Sequence, residues 1–208
     1  MKLDSLPRIY RALIVIACTC LAGVVYGIML DSLTANLCPK YFISEHCHPG
    51  HYRTMEDFGF SHKTVRTTEK TARATDIGQD NIIDASYPVI VLFWGFVATV
   101  PASLVIGIIF AIILYSGKTP TLSMKSVFIM LGSMIPIVFV LSRFFANIDT
   151  SIRSRAHREY CGDHYNFVGS FHNTSYTVAF AYAIVLCFII GIARIRHIRE
   201  EPTTLIFG

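Results

Sequence analysis

Four potential metal ligands fall within six residues at His46-Cys47-His48-Pro49-Gly50-His51. Imidazole and thiolate suit zinc or copper, and a structural zinc site is closed by four such ligands. Cys161 and His164, with His157 nearby, could complete a tetrahedral set from a second segment. Neighbouring residues rarely all reach one ion, and neither CxxC nor HExxH occurs. The competing reading is therefore a run of solvated loop histidines. No cofactor is required by the sequence, and zinc or copper belongs to the alternative reading only.

Cys38, Cys47 and Cys161 occupy the same two polar segments as these histidines. Three cysteines facing an oxidising compartment permit one bridge. Cys47–Cys161 would tie the two segments together, whereas Cys38–Cys47 would close a small ring. Membrane thiol oxidoreductases need a CxxC, in which a neighbouring thiol resolves the mixed disulfide. Without that pair, a structural bridge is the better reading. Cys18, Cys20 and Cys187 lie in apolar runs and read as packing residues.

The elements that must hold these residues are membrane helices. Of 208 residues, 53% are hydrophobic and 15% charged, with a mean hydropathy of +0.51. A soluble domain carries about 25% charged residues. The composition excludes disorder, and six cysteines are too sparse for a disulfide-stapled mini-protein. The net charge of +4 comes from scattered Lys and Arg without a basic stripe, which argues against nucleic acid as a partner.

About 20 residues of helix cross the roughly 30 Å of hydrocarbon. Four stretches qualify: Ala12 to Leu30, Tyr87 to Tyr115, residues 126–142 between Lys125 and Arg143, and Ser175 to Ala193. The third is short, but Lys125 and Arg143 can snorkel outward at its ends. Val15-Ile16-Ala17-Cys18 resembles a lipoprotein cleavage box, yet the apolar run continues through Val25, so the first stretch is read as a span. The expectation is an all-α membrane protein with four transmembrane helices and one integral membrane domain over 1–208.

Lys2, Arg8, Arg11, Lys118, Lys125, Arg194, Arg196 and Arg199 crowd three short segments. By the positive-inside rule both termini are cytoplasmic, leaving outer loops at 31–86 and 146–174. Arg153, Arg155 and Arg158 argue the other way. Within the first loop, Glu69 and Arg73 stand at i,i+4 spacing, so a turn or two of exposed helix is expected between Thr64 and Ala85.

No Asp, Glu, Lys, Arg or His falls deep in the four stretches, which counts against a proton-coupled pump and a haem protein. Pro101 and Pro136 should kink the second and third helices. Gly23 with Gly27, and Ser103 with Gly107, allow close helix approach, read as packing within one bundle. Asp31 and Arg143 leave the first and third helices on the same side, so an Asp31–Arg143 pair is expected.

The sequence from Asp31 reads Asp31-Ser32-Leu33-Thr34-Ala35-Asn36-Leu37-Cys38-Pro39-Lys40-Tyr41-Phe42, then His46. This D-x-x-T-x-x-x-C-P-x-Y-F-x-x-x-H pattern resembles one in a family of bacterial four-helix inner-membrane proteins without an assigned activity. Trp94-Gly95 with Ala98-Thr99, and His172-Asn173-Thr174-Ser175-Tyr176, resemble the same family in the same order. The resemblance covers about a third of the chain and implies topology and a bacterial setting rather than a mechanism. Lys40 stands where the family has Glu, and Cys47 where a Pro commonly follows the His. The long stretch from His48 to Ala85 replaces a short link. Cys47 is thus particular to this chain and Cys38 shared, which favours Cys47 pairing with Cys161.

The shared residues gather at one membrane surface: Asp31, Thr34, Cys38, Tyr41, Phe42, His46, His172 and Asn173, with Arg143 beside them. They read as an interfacial cap in which aromatics anchor at headgroups and polar groups bond helix ends. The expected function is a non-enzymatic structural or accessory protein of the bacterial cytoplasmic membrane. Its outer loops would form a disulfide-tied cap contacting lipid, a membrane-protein partner or another copy of the chain. The alternative is a metal-binding or thiol-active protein using the outer Cys/His cluster.

Overall fold

The computed structural model describes residues 3–70, 75–116, 122–152 and 165–200. Its elements are α1 (Arg8–Leu37), α2 (Pro49–Asp57), β1 (His62–Lys70), β2 (Thr75–Ile83), α3 (Tyr87–Val97), α4 (Val100–Tyr115), α5 (Met124–Ile152) and α6 (Tyr165–Glu200). Four helical stretches are long and apolar enough to cross a membrane: Arg8–Leu37, Tyr87–Tyr115, Met124–Asp149 and Asn166–Ile192. Leu92, Val105, Ile112, Ile129, Val140, Phe180 and Phe188 on these helices are more than half exposed. Large apolar side chains left exposed along such helices suit a lipid solvent.

The helices outrun the apolar stretches at their polar ends. α1 continues seven residues past Leu30, because nothing from Asp31 to Leu37 breaks a helix. The Cys38 N–H still donates to the Thr34 carbonyl at 2.8 Å, and Pro39 then ends the run. α5 passes Arg143 to Ile152, and α6 begins at Tyr165. The second polar connection is accordingly shorter than the expected 146–174, and His172 and Asn173 are helical. Polarity alone does not stop a helix; a missing donor or a special backbone angle does.

The second span is interrupted. α3 ends at Val97 and α4 restarts at Val100 with Pro101 in its first turn, where a missing N–H costs nothing. The kink expected at Pro101 is thus a break at Ala98-Thr99. Pro136 lies inside α5.

The expected helical turn between Thr64 and Ala85 is instead an antiparallel hairpin, pairing His62 with Ile83 and Lys70 with Thr75. Thr64, Val65, Thr67 and Thr68 are β-branched and favour extended backbone. A surface i,i+4 pair is worth only about 0.2–0.5 kcal/mol, too little to oppose them. Arg73 lies outside the described residues.

Two compact units account for the chain. One comprises Met1–Tyr26, Val97–Leu141 and Ser175–Gly208. Its core packs Val15 of α1, Phe110 and Leu114 of α4, Met124 and Leu131 of α5, and Leu186 and Ile190 of α6. A Cβ on Gly23 would lie 1.8 Å from the Ser103 Oγ, so α1 and α4 touch backbone to side chain there. Gly107 faces Ile16 and Thr19 in the same seam. The small residues thus pack helices within one chain, as expected.

The other unit comprises Gly27–Phe96 and Ser142–Thr174 and holds most of the chemistry-bearing side chains. A Cβ on Gly95 would lie 2.9 Å from the Ile28 backbone nitrogen. Glycine there lets α3 close onto α1, and Trp94 is drawn in beside it.

Candidate functional site

The site begins with two side chains one turn apart on α1. Asp31 and Thr34 share a helix face by their i,i+3 spacing, and both are buried. Opposite them, α6 supplies His172. Its Nε2 lies 2.8 Å from the Thr34 Oγ1 and 3.6 Å from the Asp31 Oδ1. An acidic side chain removed from water is tolerated only beside polar partners such as these.

The expected Asp31–Arg143 pair does not form. Asp31 turns to His172, and the Arg143 guanidinium lies over the Phe167 ring at 5.8 Å. Continuation of α1 and α5 past their apolar stretches fixes both side chains by helix rotation, and Arg143 meets an aromatic face of α6 instead of a carboxylate. Such a face attracts a guanidinium.

Five further rings form a connected cluster with His172. Tyr41 stacks on His172, with centroids 5.3 Å apart and planes 21° apart, and meets Phe42 edge-on at 5.2 Å. Phe42 stacks on Trp94 at 6.0 Å. His51 lies 4.4 Å from Trp94 and stacks on His48 at 3.6 Å with an 11° interplanar angle. Local sequence explains the His48–His51 pair. His48 caps α2, its Nδ1 accepting the His51 N–H at 3.3 Å, and Pro49 opens the first turn. The same cap sets the two imidazoles face to face.

The electrostatics are those of neutral rings. Burial, reinforced by the charge His48 and His172 would carry, holds His51 down to about 3. Burial also lowers His48. The His51 Nδ1 and Trp94 Nε1 are buried without a hydrogen-bond partner. Cys38, nearly fully buried, has its thiol pushed up to about 11 by burial. It is a thiol, not a thiolate, at neutral pH, and only the thiolate is nucleophilic.

The proposed ligand run is divided between two places. The His46 Nδ1 is 2.8 Å from the Asp80 Oδ1, and the Ser44 hydroxyl donates to the other Asp80 oxygen at 2.8 Å. The buried Asp80 thereby anchors residues 43–46 to β2, where the Ile83 N–H also donates to the Ile43 carbonyl. Cys47 is buried, its N–H donating to the Ser44 Oγ. His48 and His51 stack, so their lone pairs lie in parallel planes instead of converging. Among the described residues no group of three His, Cys, Asp or Glu side chains is arranged to hold a metal ion. Cys161, His157 and His164 lie outside the described residues. Asn173 is exposed on α6.

Of the expected polar cluster, Asp31, Thr34 and His172 come together with Tyr41 and Phe42 around them. His46 and Arg143 have other partners. Asp80 and Ser44 were not identifiable in advance, because a polar residue in a polar strand carries no pattern that marks burial. Compared with protein-family models, curated proteins and solved structures, the chain matches none.

Proposed function

We propose that the chain is a non-enzymatic structural or accessory protein of a bacterial cytoplasmic membrane, and that residues 38–86 form a cap contacting a partner protein or lipid. The observation that carries this reading is the packing of Tyr41, Phe42 and His51 onto Trp94 of α3 and His172 of α6. Loop rings interleaved with helix rings make the segment a folded surface of fixed shape, and rigid surfaces bind partners without a large ordering cost. The neutral stacked histidines and the protonated Cys38 thiol suit packing better than ligation or thiol exchange.

In this reading both termini are cytoplasmic, following the crowding of Lys and Arg in the short segments. A Cys47–Cys161 disulfide ties the cap to the second polar connection. Support for it comes from the free thiols of the described residues, which are Cys18, Cys20, Cys38 and Cys187 and do not include Cys47. The resemblance of the Asp31 to His46 segment to bacterial inner-membrane proteins supplies the setting.

A photo-crosslinking residue at Arg53, exposed on α2, tests the cap in native membranes. A discrete adduct with one protein or lipid class is expected, and its absence would discard the reading. Metal analysis of the detergent-purified protein is the second arm. Stoichiometric zinc or copper, lost when His46, His48 and His51 are replaced together by alanine, would replace this reading with the metal-binding one.

A further inference from the structure

The turn joining α2 to β1 carries two phenylalanines around a glycine. Gly59 has φ +85, a conformation glycine adopts without strain, and it reverses the chain directly after α2. The backbone donors of the turn are all used internally. Phe58 N–H donates to the Thr54 carbonyl at 3.1 Å, Gly59 N–H to Glu56 at 2.8 Å and Phe60 N–H to Met55 at 3.1 Å. A turn so closed presents no unsatisfied donor, one part of what backbone entering an apolar medium requires.

The side chains point the same way. Phe58 is 64% exposed. Its ring and that of Phe60 meet Phe93 edge-on at 5.1 Å and 5.0 Å. Phe93 belongs to the membrane-spanning stretch Tyr87–Tyr115, and its helix neighbours Val89, Leu92 and Phe96 are 46%, 55% and 59% exposed. The Phe58 ring therefore continues a lipid-facing surface.

Depth follows from position along the helix. Phe93 is the seventh residue of α3, about 9 Å along it from Tyr87 at roughly 1.5 Å per residue; with Tyr87 among the headgroups, Phe93 sits near the edge of the hydrocarbon. Polar contacts mark the level above it: the Lys63 Nζ donates to the Asp84 Oδ1 at 2.6 Å, and the Asp84 N–H donates to the Ser61 carbonyl.

We propose that the Phe58-Gly59-Phe60 turn is inserted in the bilayer at the boundary between headgroups and hydrocarbon, with the Phe58 ring against lipid acyl chains. The loop is then held at the membrane by its own tip as well as by the helices that flank it.

The test uses the full-length Phe58→Trp variant in phosphatidylcholine vesicles, reading the emission added over that of Trp94 in the unaltered chain. Thr64→Trp, exposed on β1, serves as the control. Loss of most of the residue-58 emission is expected with lipid brominated close to the headgroup, a smaller loss with lipid brominated at the chain end, and little quenching by aqueous acrylamide. The residue-64 emission should show the reverse. Acrylamide quenching of residue 58 without lipid quenching would overturn the proposal. So would protection from both quenchers, which would mean a protein surface covers the ring, or equal lipid quenching of residues 58 and 64.

Discussion

His48 and His51 lie face to face, ring centroids 3.6 Å apart and planes 11° apart, on the first turn of a helix that His48 itself caps. Two imidazoles in this arrangement cannot both carry charge without strong repulsion, so at least one ring of the stack is neutral, and burial disfavours the charge on either.

Stability should therefore fall on acidification. His51 titrates near 3 in the folded protein and at its ordinary 6.5 when unfolded. Above about pH 7.5 neither state binds this proton, and this group leaves stability unchanged. As pH falls from about 6.5 toward about 3, the unfolded chain takes up a proton that the folded chain refuses, and stability declines by up to about 1.4 kcal/mol per pH unit for this group. His51→Phe keeps a ring in the stack and removes the proton, so thermal unfolding in mild detergent should show a shallower pH slope. An unchanged slope would assign the acid sensitivity to other groups.

His172→Phe preserves an aromatic face for Tyr41 but leaves Asp31 and Thr34 without their partner. The expected cost is about 1–3 kcal/mol, that of stranding buried polar groups. Adding Asp31→Leu should recover part of it, because the buried polar group left without its partner is then removed. Denaturation midpoints of the two single variants and the double variant measure the coupling. Strict additivity would mean that Asp31 and His172 do not interact.

In the other unit, Gly23→Ala should destabilise by about 1–3 kcal/mol, the range for overpacking a close seam. The new methyl would collide with both the Oγ and the Cβ of Ser103, the latter at 2.8 Å. Ser103→Gly should then relieve Gly23→Ala, whereas Ser103→Ala, which retains the Cβ, should not. Thermal melts of the four proteins decide it.

The proposed Cys47–Cys161 bridge is read by mass. Alkylation of the unreduced, unfolded protein should label Cys18, Cys20, Cys38 and Cys187 and leave Cys47 and Cys161 unlabelled until reductant is added. Two further adducts without reductant would remove the bridge.

The four spans were legible in the sequence because crossing hydrocarbon is a one-dimensional requirement: enough consecutive apolar residues and no charge among them. The small-residue seam of Gly23, Ser103 and Gly107 was legible for a similar reason, since spacing along a helix sets a face. The Asp31 to His46 motif likewise marked Thr34, Tyr41 and Phe42, and the separate His172 to Tyr176 stretch marked His172. Where the helices end was not legible from hydropathy, because α1, α5 and α6 run on through polar residues that contain no breaker. Only the tertiary structure decided that Asp31 meets His172 and Arg143 meets Phe167, since helix rotation sets the partner of a polar side chain. The same holds for Asp80, whose burial depends on Ser44 and His46 arriving from a separate segment. It holds too for the histidine run, where the N-cap at His48 stacked two of the four candidate ligands and Asp80 took up a third.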